Sequence, residues 1–184
     1  MASRRSFIKR SGVALPSFLG GAHISISPAR AREQGLALQV FSSGEARTLE
    51  ALADAIVPGA RTAGICHYLD HHLAQSPEDC LLMIKYLGLP AHGYAEFYHA
   101  GLANASELAE KNFHNDWPML KTAESTSLLS DITSDNTPSW KGAPASFFFF
   151  VLRADASDLV YGTVEGFESI NFPYMAHIAP ETSW

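Results

Sequence analysis

Apolar and polar residues alternate along most of this chain at helical rather than strand spacing. Ser42-Ser43-Gly44-Glu45 has the form of a capping box, and Leu49, Leu52, Ala53 and Ile56 follow on one face until Val57-Pro58-Gly59 ends the run. Ile65, Leu69 and Leu73 mark a second, short amphipathic turn. Ser76-Pro77-Glu78-Asp79 is another start signal, with Pro77 in the first helical position, and predicts a third helix to about Leu87, where Gly88-Leu89-Pro90 breaks it. Tyr94, Phe97, Tyr98 and Leu102 share one face of the next, and residues 106–112, 118–132 and 144–161 complete the helices. No alternating strand pattern of useful length is present. Residues 134–143 and 162–184 carry Pro, Gly, Asn and Ser and read as irregular, the second with aromatics that imply it packs on something. The expectation is an all-α protein, a small helical bundle with a long irregular C-terminal tail.

Composition adds the scale. The chain has 184 residues, 47% hydrophobic and 17% charged, enough for one apolar core. No apolar run approaches the roughly 18 residues of a membrane span.

Charge is uneven along the chain. Arg4, Arg5, Lys9, Arg10 and Arg30 precede the first carboxylate, Glu33. Residues 1–31 read as an export signal: a basic start, a weakly apolar middle broken by Gly12, Pro16, Gly20 and Gly21, and the small-x-small cleavage site Ala29-Arg30-Ala31. So mild a middle suits a poor Sec signal, whereas Ser3-Arg4-Arg5-Ser6-Phe7-Ile8-Lys9 resembles the twin-arginine consensus through Arg4, Arg5, Phe7 and Lys9. A mature domain of residues 32–184 would begin at Arg32. Removing residues 1–31 takes five of 13 basic residues and none of 19 acidic ones, moving the net charge from −6 to −11. Such a body repels nucleic acid and anionic lipid. The expected place is the periplasm, reached folded through the twin-arginine translocase.

Motifs for chemistry are scarce. The sequence has neither Gly-x-Gly-x-x-Gly nor a P-loop, Cys-x-x-Cys-His is missing, and two cysteines cannot hold a Cys₄ cluster. Gly-x-Ser-x-Gly is missing too. No catalytic residue stands out, and no cofactor is expected in this chain. Cys66 and Cys80 flank a turn between helices and are expected to pair in an oxidising compartment, closing a loop worth about 3 kcal/mol; two buried free thiols are the alternative. His67, Asp70, His71 and His72 form a polar cluster in which His67 and His71 share a face as metal ligands do, with His114 and Asp116 as distant additions, although a solvated polar face accounts for them as well. Phe147-Phe148-Phe149-Phe150 cannot all point one way on a helix. A central position in the bundle explains most of these rings, and a partner subunit covering Phe147, Phe148 and Phe150 together with the tail residues Phe167, Phe172, Tyr174 and Trp184 explains the rest.

Together, the twin arginines, the pattern Phe41-Ser-x-x-Glu45…Leu49…Leu52-Ala-Asp-Ala-Ile56-Val57-Pro58, the aromatic helix Phe147…Leu152-Arg153 and the tail Val160-Tyr161-Gly162 to Ile178 resemble the gluconate 2-dehydrogenase subunit 3 family. Where many members have a Gly-Gly-Asn stretch, this chain has Gly166-Phe167, and it ends on Trp184. The resemblance implies a small subunit without a redox centre. Its partner would be a large FAD-dependent dehydrogenase of the glucose-methanol-choline type acting on a sugar, sugar acid or polyol, often joined in such complexes by a cytochrome c subunit carrying haem c. It also implies that the small subunit carries the FAD-loaded partner through the exporter on its own signal and stays bound. Two other classes stay open: a periplasmic metal-dependent enzyme using His67 and His71, and a free-standing export chaperone.

Overall fold

A computed structural model describes residues 15–19, 22–162, 166 and 169–171. Seven α-helices make the described body: α1 (Pro28–Glu33), α2 (Ser43–Ile56), α3 (Ala60–Ala63), α4 (Ile65–Ala74), α5 (Tyr94–Phe113), α6 (Thr122–Thr133) and α7 (Ala145–Tyr161). Short 3₁₀ turns at Met83–Leu87, Ala91–Gly93 and Trp117–Met119 join them. The body is all-α. The described strands are β1 (Leu15–Leu19) and β2 (Ala22–Ile26), an antiparallel pair with Leu15 opposite Ile26, inside the segment read as the signal's apolar middle.

Local chemistry sets several boundaries where the sequence places them. Ser42 accepts the Glu45 amide (3.3 Å) while the Glu45 carboxylate accepts the Ser42 amide (2.9 Å), so α2 begins on its expected capping box. Leu49, Leu52 and Ala53 then turn inward and are fully buried. At α6 the Glu124 carboxylate reaches back to the Lys121 amide (2.8 Å), so that helix starts at Thr122, and Pro118 sits in the preceding 3₁₀ turn instead of opening it. Nothing between Leu102 and Ser106 breaks a helix, and the two short helices expected there are one, α5.

The expected helix from Ser76 to Leu87 does not form. Ser76 and Asp79 close a single turn, the Ser76 hydroxyl donating to the Asp79 carboxylate (2.9 Å), and the chain then runs extended into the Met83–Leu87 turn. Burial explains why: Cys80, Leu82 and Ile84 are buried while Leu81 is exposed, an every-second-residue pattern that a helix cannot present to one core.

The core gathers the inner faces of α2, α4, α5, α6 and α7. One close contact joins α5 to α7. The Phe148 ring lies so close to Gly101 that a Cβ on that glycine would sit 2.2 Å from ring carbons. Gly101→Ala is therefore expected to destabilise the fold by about 2–3 kcal/mol, because both helices must shift to admit one methyl group. Chemical denaturation checks this, and an unchanged midpoint would show that α5 and α7 have slack.

Candidate partner-binding face and the buried polar contacts behind it

Successive residues of a helix turn by about 100°, so four adjacent phenylalanines must divide among its faces. Phe148 points into the core, 2% exposed, with ring centroids 5.7 Å from Phe97 and 5.9 Å from Trp140. It is packed within the domain rather than presented to a partner. Phe147 is half-buried and meets Phe97 edge-on at 5.7 Å. Phe149 is half-buried beneath the Arg153 guanidinium, 5.6 Å from its ring centre, and Phe150 is 41% exposed. Phe149, Phe150 and Arg153 thus share the outer face of α7. The segment from Cys80 to Leu87 packs beside this helix and turns Leu81 and Tyr86 outward. Phe167, Phe172, Tyr174 and Trp184 lie outside the described residues, as do Arg4, Arg5, Phe7 and Lys9. Ala29 and Ala31 lie within α1, and Ala31 is buried.

Behind that face sits a carboxylate that sequence reasoning missed. Asp155, 1% exposed, accepts the Tyr98 hydroxyl on one oxygen (2.5 Å) and the Met83 amide on the other (2.8 Å), pinning the extended segment and α5 to α7. Burial pushes its pKa up to about 6, against the pull of those two hydrogen bonds, and Asp158 adds to the rise. The available signal is positional. Asp155 falls on the same stripe as Val151, Leu152, Ala156 and Leu159, all buried.

Asp70 has a different structural role. From α4 it accepts the backbone amides of Gln39, Val40 and Phe41, fixing the chain that leads into α2. His67 Nε2 lies 3.1 Å from the Leu36 carbonyl, and His72 is buried edge-on to Tyr68. Burial, with His71 beside it, lowers the His72 pKa to about 4. His114 ends α5 in the left-handed conformation, and Asp116 is exposed at the start of the Trp117 turn. Among the described residues no three His, Cys, Asp or Glu side chains gather as a metal site needs. A polar groove of about 180 Å³ lined by Gly44, Arg47, Thr48, Ser106, Asp116 and Pro118 is smaller than the roughly 300–1,000 Å³ of small-molecule sites.

Cys66 and Cys80 are separate buried thiols, not the expected disulfide. Burial, followed by the charges of Glu50 and Asp70, pushes the Cys66 pKa up to about 12. Burial above all raises the Cys80 pKa, against the Leu82 amide and Lys85, which lower it. Cys66 is enclosed in α4 and Cys80 in the segment after Asp79, each 1% exposed and without an S–S bond.

The family model for gluconate 2-dehydrogenase subunit 3 matches residues 43–174. The chain belongs to that family. No curated protein and no solved structure matches it. As a gluconate 2-dehydrogenase subunit 3 protein it is a small subunit of a dehydrogenase complex, with a larger dehydrogenase as partner. The family region begins at the first residue of α2 and includes the outer face of α7, the Cys80–Leu87 segment and both buried aspartates.

Proposed function

We propose that this chain is the non-catalytic small subunit of an FAD-dependent dehydrogenase of the glucose-methanol-choline type, acting on a sugar, sugar acid or polyol in the periplasm. FAD belongs to the large subunit, and a cytochrome c subunit would take electrons onward. In this reading the Arg4-Arg5 signal brings both chains through the twin-arginine translocase, because a flavoprotein loaded in the cytoplasm crosses only folded and one signal serves two bound chains. The observation that carries the reading is family membership over residues 43–174. The sequence supports it by having neither a dinucleotide-binding fingerprint nor a phosphate loop. The outer face of α7, with Phe150 and Arg153, fits such a partner as its docking surface, since exposed aromatics beside an arginine are typical of interface anchors.

Affinity purification of a C-terminally tagged chain from the periplasm tests the proposal. A co-purifying chain of oxidoreductase size with flavin absorbance is expected, and Arg4→Lys with Arg5→Lys should strand both chains in the cytoplasm. A colourless protein alone would overturn the stable-subunit reading and favour a free export chaperone. Phe150→Ala is expected to reduce co-purification of the large chain severalfold while changing the stability of the isolated subunit by less than about 0.5 kcal/mol. Full retention of the partner would remove this face from the interface.

A further inference from the structure

Helix α1 precedes the family-matched region, yet it is built into the domain. Pro28 and Ala31 are buried, the latter 2% exposed, and Ile26, Ala31 and half-buried Leu36 form a small apolar cluster. The helix packs on α3 and α4. At their junction the fit is backbone to backbone: Gly64 holds φ at +86°, and a Cβ there would sit 2.3 Å from the carbonyl carbon and oxygen of Pro28. Only glycine admits α1 at that distance. Arg32 adds a two-pronged contact to Glu50 of α2, Nε to Oε1 at 2.8 Å and Nη2 to Oε2 at 3.3 Å. Both backbone groups of Ala31 are engaged, its amide donating to the Ser27 carbonyl (2.9 Å) and its carbonyl accepting the Leu36 amide (3.0 Å).

We propose that α1 is a docked strap that closes the Ala31–Arg32 bond to a leader peptidase, so the folded chain keeps α1 after export. The inference rests on the reading of residues 1–31 as an export signal. Hydrolysis at that bond adds one water across the amide, leaving a carboxylate on Ala31 and an ammonium on Arg32. To reach it, a peptidase must draw Ala29-Arg30-Ala31 out of the helix into an extended form. That movement breaks both Ala31 hydrogen bonds, brings its methyl group into water and lifts Pro28 from Gly64. Backbone that is buried and hydrogen-bonded is cut only from the opened state, at a rate set by how often that state forms. A substrate of the twin-arginine exporter arrives folded, and this strap arrives with it, docked.

Two measurements on the full chain decide the matter. In the first, the purified protein is digested with trypsin, whose cuts after Arg30 and Arg32 fall in the strap, and products are timed by mass spectrometry. The native chain should be cut there at least about tenfold more slowly than Glu50→Ala or Gly64→Ala, with cutting after Lys111 of α5 unchanged. Equal rates at Arg30 and Arg32 in native and variant chains would overturn the proposal. Faster cutting at Lys111 in Gly64→Ala means that its body has opened, and Glu50→Ala then carries the comparison. In the second, the intact mass of tagged protein from the periplasm is expected to place its first residue before Pro28. A periplasmic chain beginning at Arg32 would overturn the strap and leave the export reading standing. A chain confined to the cytoplasm would remove the export reading, and the trypsin rates then decide alone whether α1 is docked.

Discussion

Asp70→Ala is expected to lower the unfolding free energy by about 3–4 kcal/mol, more than most single substitutions. The carboxylate accepts the Gln39 amide on both oxygens (3.1 and 2.9 Å) and the Val40 (2.8 Å) and Phe41 (3.0 Å) amides on Oδ1. These donors are unequal. Gln39 is exposed and its amide can turn to water, so little is lost there. The Phe41 amide is buried and would be stranded, at about 1–3 kcal/mol, with Val40 between the two. The Phe41 ring, 5% exposed, also loses the backbone anchor that seats it in the core. A fall of about 10 °C in melting temperature corresponds to that loss in a chain of this size. Asp70→Asn keeps an oxygen where three donors converge and should cost only about 1 kcal/mol. If Asp70→Ala melts with the native protein, packing rather than this carboxylate holds the approach to α2.

Asp155→Asn is expected to do the reverse and stabilise the domain above pH 6, by up to about 3 kcal/mol. Burial raises the Asp155 pKa from 3.8 to about 6, so between those values the folded chain binds a proton that the unfolded chain has released. Its contribution to stability is therefore complete below the unfolded value and is lost as pH rises through about 6; two units at about 1.4 kcal/mol each give the size. The asparagine amide satisfies both partners without a charge. Its oxygen accepts the Met83 amide, and its nitrogen donates to the Tyr98 hydroxyl, which can accept as well as donate. Asp155→Leu leaves both groups unpaired in the core and should cost about 3 kcal/mol at pH 5, and about 1 kcal/mol less at pH 8, where it also removes a buried charge.

His72 runs the other way. Burial lowers its pKa to about 4, so its stabilising effect is complete above the unfolded value of 6.5 and is lost as pH falls toward 4. In the native protein the two groups offset each other across that range, whereas Asp155→Asn exposes the rise of stability with pH that His72 imposes. Urea unfolding at pH 5 and pH 8 makes the comparison. An Asn variant less stable than the native protein at pH 8 would contradict a raised Asp155 pKa.

Local signals were readable where one residue and its near neighbours decide the structure. Ser42 and Glu45 fix the start of α2 through their own hydrogen bonds, and Pro144 stands immediately before α7. Ser76-Pro77 carries the same kind of signal yet starts only one turn, because the residues after it are buried alternately against α7 and that packing outweighs the cap. Long-range contacts left fainter traces. Gly101 reads as an ordinary helix glycine until Phe148 arrives from a distant part of the chain. Asp70 reads with its histidine neighbours as a ligand, although its partners are amides about thirty positions earlier. The outer face of α7 was half legible: the phenylalanine run showed that more than one side needs covering, but only the fold shows that Phe148 faces inward while Phe150 does not.

Cys66 and Cys80 are both buried as free thiols, and both are pushed toward the protonated form, Cys66 to about 12. Thiolate is the form that attacks a disulfide or reacts with an oxidant, so neither sulfur is a ready reagent at neutral pH. In this structure the fold carries no cross-link, so its stability comes from packing and hydrogen bonds, and a thiol reagent reaches either sulfur only when the core opens.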